Sequence, residues 1–237
     1  MIINVLFDST YSWQDKFIAI VAIICALLGA VILHELAHGG VAYWNGDKTA
    51  KEMGRLTLNP IKHFNPFGFI LMLVVGLGWA NPVPVNPYNF KNRKCGWITT
   101  AIAGVSANLI LAFTSFGLNV ALIAISEKVV ITHEVVYIIF RFFNFLFVYG
   151  TVINISLIAF NLLPIYPLDG FRVVETLTPP NNGYVRFMRK YSRYIFLGLI
   201  VIGNTLGRYI SYFDILGTYI GWVQKGVIAL FNLVFGG

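Results

Sequence analysis

Between Phe17 and Leu33 the chain carries no charged residue, and a second charge-free stretch runs from Ile98 to Ile125. A helix needs about 20 mostly apolar residues to cross a bilayer, and only internal pairing can satisfy its backbone polar groups in hydrocarbon. Both stretches therefore read as transmembrane helices, the first continuing to about Tyr43. Of the 237 residues, 57% are hydrophobic and only 11% charged, against about 25% charged in soluble domains. With a mean hydropathy of +0.74, the chain reads as an all-α polytopic integral membrane protein.

Three further runs extend this reading. Val135 to Leu163 carries only Arg141, close enough to its start to snorkel to the interface. Ile195 to Leu206 and Ile215 to Phe235 read as a fourth and fifth span, separated by the polar "GRYISYFD". The expectation is about five transmembrane helices in one domain, residues 1–237, with a core over 17–170 and C-terminal helices over 194–237.

The apolar segment Phe67 to Ala80, "FGFILMLVVGLGWA", is short for a span. The loops on either side are both basic, with Lys48, Lys51, Arg55 and Lys62 before it and Lys91, Arg93 and Lys94 after it. Basic loops favour the cytoplasm, so the segment is expected to enter and leave on one side as a re-entrant piece. The loop Asp169 to Arg193 is basic as well, while Ser126 to Glu134 sets Lys128 against Glu127 and Glu134. The first helix then runs from outside to inside, as in a multi-pass membrane protein.

The net charge of +7 belongs to these loops. No soluble basic domain exists to carry nucleic-acid binding. Two cysteines make no disulfide framework; Cys25 is expected as a small core residue and Cys95 lies in a basic loop. The N-terminus lacks a basic n-region and a small-residue cleavage site, so the first apolar run is expected to persist in the mature protein.

Helix breakers cluster in "WANPVPVNPYNF", with Pro82, Pro84 and Pro87, and in "FNLLPIYPLDG", with Pro164 and Pro167. Prolines remove backbone donors and push the preceding residue toward extended chain, so neither stretch continues a helix. "GRLTLNP", Gly54 to Pro60, alternates Leu and Thr between a Gly and a Pro and reads as a short strand.

The chemistry sits at the end of the first run, in "GAVILHELAHGG". His34 and His38 stand four apart, so on a helix their imidazoles share one face and can hold one cation, with Glu35 beside them. This is the zinc-protease pattern H-E-x-x-H. Polar side chains in a lipid-embedded turn need partners, and a metal supplies them. A catalytic zinc takes three protein ligands and leaves one position for water, from which Glu35 would take the proton. Asp169, on the same side in "NLLPIYPLDG", is the candidate third ligand, with a plain Pro-Asp-Gly turn as the bland alternative. His63 is assigned a structural role, such as a hydrogen bond in the re-entrant region, and His133 falls on the opposite side.

These residues resemble the site-2 protease family of intramembrane zinc metalloproteases, peptidase family M50. "HELAH" matches its H-E-x-x-H, "NLLPIYPLDG" its N-x-x-P-x-P-x-L-D-G motif in slightly altered spacing, and "GVSAN", Gly104 to Asn108, its G-x-x-x-N/S/G element. "GDKTAKEMGRLTLNPIKHFNPFG" with "GWANPVPVNP" looks like the compact prokaryotic branch. The resemblance implies that His34, His38 and Asp169 bind zinc and that Glu35 is the general base and acid. It also implies that Asn161 and Asn108 hold substrate backbone or order the site, and that short strands near Leu56 to Asn59 and Val83 to Val85 face the substrate. The implied reaction is hydrolysis of a peptide bond within or beside a transmembrane helix of another membrane protein in the same bilayer. The rival readings are a noncatalytic membrane zinc-binding or transport protein and a scaffold that binds membrane helices. Glu35 argues against a transport site, which has no need of a base.

Overall fold

The structure, a computed structural model, describes residues 2–68, 70, 80–129, 132–208, 210 and 213–236. Its described α-helices are α1 (Ile2–Phe7), α2 (Trp13–Trp44), α3 (Thr49–Glu52), α4 (Pro60–His63), α5 (Arg93–Ser126), α6 (Glu134–Asn161), α7 (Asp169–Leu177), α8 (Gly183–Thr205) and α9 (Ile215–Phe235). Each long helix starts at a residue that can satisfy the free N–H groups of a first turn. Ser12 accepts from the Asp15 N–H, Asn92 from Cys95, His133 from Val135, Asn182 from Tyr184 and Asp214 from Gly217.

Helices α2, α5 and α6 pack against one another, α7 docks on α5, and α9 covers α6 and α5. Small residues let α2 approach closely: Ala19, Ala22, Ala26 and Ala30 are buried, interleaved with Ile23, Leu27, Phe145 and Ile153. Close backbone approach is how helices associate where lipid removes the hydrophobic drive between them. At Gly150 on α6, an added Cβ would lie 2.9 Å from Ser115 Oγ on α5. Ala112, Ile155 and Phe231 form the contact to α9, where Gln224 Nε2 also donates to Ser156 Oγ at 2.8 Å.

Four described helices, α2, α5, α6 and α9, are long and apolar enough to cross a membrane. The expected fifth span is not among them: Ile195 to Thr205 is the apolar end of α8, whose first half carries Arg186, Arg189, Lys190 and Arg193. Arg141 also differs from a residue that only snorkels. Its Nε meets Asp15 Oδ1 at 2.7 Å, tying the start of α6 to the start of α2. Cys25 lies exposed on α2 rather than in the core; α2 is apolar on every side, so its sequence could not tell lipid from protein.

The expected strands are absent among the described residues. Groups that could have formed a ladder near Thr57 and Val83 are taken by side chains. His63 Nε2 bonds the Thr57 carbonyl at 2.8 Å, Arg55 Nη2 reaches the Asn81 and Pro82 carbonyls at 2.8 and 3.1 Å, and Glu35 Oε2 accepts the Val83 N–H at 2.8 Å. Of the expected re-entrant segment, residues 69 and 71–79 lie outside the described residues. Its two ends meet: the Asn81 N–H donates to the His63 carbonyl at 2.9 Å, and Asn81 Nδ2 donates to the Phe64 carbonyl at 2.8 Å.

Candidate metal centre

The site begins with helical spacing. His34 and His38 are one turn apart on α2, and their rings stand edge to face with centroids 4.5 Å apart. The break at Pro164 and Pro167 ends α6 and lets the chain turn, so that Asp169 opens α7. From there its Oδ2 lies 3.3 Å from His34 Nε2 and 3.1 Å from His38 Nε2. One ligand atom from each residue falls within 4.8 Å of the other two, and all three side chains are buried.

The outward ring nitrogens fix what the inward ones can do. His38 Nδ1 sits 2.6 Å from the Thr100 carbonyl, which can only accept, so Nδ1 carries the hydrogen and donates. His34 Nδ1 lies 2.8 Å from Asn108 Oδ1, an acceptor in this orientation, so the same holds there. With the imidazoles neutral, each Nε2 then presents a lone pair. The two Nε2 atoms are 3.0 Å apart, and Asp169 Oδ2 beside them is buried with no hydrogen-bond partner. Three acceptors converge, and they repel unless a proton or a cation lies between them. Imidazole and carboxylate are the donor set of a catalytic zinc site, with outward N–H groups held by the second shell. The residues fit such an ion.

Burial pushes the Asp169 carboxyl up, and where a proton lies between the three groups, hydrogen bonds and charge from the His34 and His38 rings hold it well below the usual carboxylate range. Asp169 in its ionised form is the available ligand. It stands at the first position of α7, where the helix dipole also favours negative charge. Arg172 Nη1 approaches the other oxygen, Oδ1, at 3.5 Å.

Glu35 takes no part in the three-residue group. Its Oε2 accepts the backbone N–H of Val83, beside the proline-rich loop. That loop is anchored on both sides, by Arg55 at Asn81 and Pro82 and by Asp47. Asp47 Oδ2 accepts from the Asn86 N–H at 2.7 Å, and its Oδ1 accepts from Asn89 Nδ2 at 2.9 Å. At Gly39 an added Cβ would stand 2.5 Å from Leu56 Cδ2 and 2.9 Å from Val83 Cγ1, so both segments press on α2 next to His38.

Of the sequence-predicted site residues, the structure brings together His34, His38 and Asp169, places Glu35 on the same helix turn, and sets Asn108 behind His34. It does not bring in Asn161, whose amide donates to the Leu157 carbonyl of its own helix at 3.0 Å. His63 is buried on the Thr57 carbonyl, and exposed His133 caps α6. Sequence reasoning missed the Thr100 carbonyl, which no side chain announces. It also gave Gly104 no task, although an added Cβ there would lie 2.5 Å from both His34 Cε1 and His38 Nε2. A glycine four residues before Asn108 was the available signal.

Comparison with known proteins adds an independent line. The model of Peptidase family M50 matches residues 22–202. "Putative zinc metalloprotease YwhC" of Bacillus subtilis (strain 168) is 39% identical over 218 residues, covering 90% of this chain and 92% of that relative. "Putative zinc metalloprotease Rip2" of Mycolicibacterium smegmatis is 26% identical over 209 residues, covering 84% of this chain and 72% of the relative. No solved structure matches.

Proposed function

Because the chain belongs to peptidase family M50, we propose that it is a zinc metalloprotease of the site-2 type that cuts other membrane proteins within or near their transmembrane helices. The observation that carries this reading is the convergence of His34 Nε2 and His38 Nε2, on a helix long and apolar enough to cross the bilayer, with Asp169 Oδ2 from α7, while the carboxylate of Glu35 stands outside the ligand group on the histidines' turn. The names of the two relatives support the choice of zinc.

His34, His38 and Asp169 would hold the ion, with Asn108 and the Thr100 carbonyl fixing the two imidazoles. When bound, zinc supplies Lewis-acid polarisation of a scissile carbonyl and lowers the pKa of water toward about 7. Glu35 accepts the proton of the attacking water and returns it to the departing amine, the two tasks of a general base and acid. A carboxylate that already accepts the Val83 N–H through Oε2 keeps Oε1 for that proton.

A helical substrate hides its carbonyls in its own hydrogen bonds, so it must unwind before attack. The helix-free stretch 80–86 runs past Glu35, and an unwound peptide can be held by main-chain pairing with backbone of such a segment. The basic loops support a site near the cytoplasmic face of the prokaryotic cell membrane. A noncatalytic zinc carrier would leave Glu35 and its backbone donor without a task.

The test is incubation of the purified protein with a panel of single-span substrates, with and without chelator. Fragments that vanish on chelation and return with added zinc support the protease. Bound zinc with no cleavage of any substrate would favour a metal-binding protein instead.

A further inference from the structure

Helix α8 divides its first half into three faces at helical spacing. Val185, Arg189, Ser192 and Phe196 fall at i, i+4, i+7 and i+11, which on a helix is one stripe. That stripe packs on the protein: Val185 and Ser192 are buried, the exposed Arg189 reaches Glu175 Oε1 of α7 with its Nε at 2.6 Å, and the Phe196 ring contacts Phe160 of α6. A second stripe is Arg186, Lys190 and Arg193, all exposed. A third is Phe187, Tyr191 and Tyr194, exposed by 50%, 39% and 66%, with Lys190 Nζ 5.0 Å from the Tyr191 ring centre. The charge-free half that follows, Ile195 to Thr205, continues with exposed Leu197 and Val201.

A row of cations beside a row of exposed aromatics, running directly into apolar helix, has one natural complement. Cationic side chains meet phosphate oxygens, Tyr and Phe sit at headgroup depth, and the apolar half meets acyl chains. The inner face is already occupied by Glu175 and Phe160, so the two outer stripes are the ones left for an outside partner.

We propose that the first half of α8 is a docking surface for anionic phospholipid headgroups, with Arg186, Lys190 and Arg193 as the headgroup-binding residues. The proposal does not depend on the protease reading. It does bear on the candidate metal centre, since the opposite face of α8 grips the chain that carries Asp169. Arg189 holds Glu175 of α7, and the Tyr184 hydroxyl donates to the Pro164 carbonyl.

The experiment uses the full chain in nanodiscs of phosphatidylcholine mixed with phosphatidylglycerol, and mass spectrometry reads which lipid stays bound after partial delipidation. Wild-type protein is expected to retain phosphatidylglycerol preferentially. Each basic residue near an anionic surface contributes about fivefold in binding, so R186Q/K190Q/R193Q should reduce the preference by up to about 10²-fold. The charge-matched control K48Q/K51Q/K62Q should keep it. A preference that survives the first variant, or falls equally in the control, overturns the proposal. Should the first variant fail to fold, photoactivatable phosphatidylglycerol on wild-type protein decides. Adducts within residues 183–194 support the surface; adducts confined to other segments, or cross-links joining two copies through this segment, overturn it.

Discussion

The backbone N–H of Val83 donates to Glu35 Oε2 at 2.8 Å, joining the centre of the proline-rich loop to the turn that carries His34 and His38. The contact holds one carboxylate oxygen and leaves the other unconstrained by that bond. It also sets Glu35, the proposed base, directly against the backbone of that loop.

Glu35→Gln keeps the size of the side chain and its acceptor toward Val83, and removes its ability to take a proton. Cleavage should fall by about 10² to 10⁴-fold, the usual contribution of a general base, while zinc content per molecule stays at the wild-type level. Metal analysis beside a cleavage assay checks both. Undiminished cleavage would remove Glu35 from its role.

Asp169→Ala should instead lose metal and activity together, because two imidazoles alone hold zinc weakly. Chelation of the wild-type protein should reproduce the loss, and added zinc should reverse it in the wild type only. Full zinc occupancy in the variant would show that the third ligand lies elsewhere.

Gly104→Ala tests the close approach of α5 to the histidines. The new Cβ would stand 2.5 Å from His34 Cε1 and from His38 Nε2, so the imidazoles must shift from their bonds to Asn108 and Thr100. Disturbing such outer partners costs about 10 to 100-fold in metal affinity. Ala is a better helix former than Gly, so helical circular dichroism should be unchanged while the zinc dissociation constant rises. An unaltered constant would mean that the helices relax apart.

Asp47 gives a pH dependence. Burial raises its carboxyl, but the donors from Thr49, Asn89 and Asn86 outweigh that and lower it from the ordinary value of 3.8. A carboxylate depressed in the folded state contributes stability that is present above its unfolded pKa and lost as pH falls through the folded one. The thermal midpoint of the wild type should therefore exceed that of Asp47→Asn at neutral pH. Leaving one buried donor without an acceptor costs about 1 to 3 kcal/mol. The gap should narrow only below about pH 4, and a gap constant down to pH 2 would contradict the assignment.

Some of this molecule is written in local spacing, and the rest needs chain segments far apart to meet. The long apolar runs, charge-free in α2 and α5 and carrying only Arg141 in α6 and Lys225 in α9, determined these helices, because hydrocarbon admits no unpaired backbone. The four-residue step from His34 to His38 determined that both rings share a face, because helix geometry is local. Nothing local could tell Cys25 from a core residue on a helix apolar all round, or join Ile195 to Thr205 to the basic stretch before it as one helix. The strand expected over Gly54 to Pro60 followed from correct alternation, but His63 took the Thr57 carbonyl, and Arg55 and Glu35 took backbone groups of 81–83. Only the packing of α5 on α2 gave Gly104, Asn108 and the Thr100 carbonyl their places behind the histidines. Asn161 and Asp169, neighbours in one motif, were separated by the proline break, which leaves Asn161 on its own helix and carries Asp169 to the site. Sequence selected the donors; the crossing of helices and the position of that break decided which of them meet.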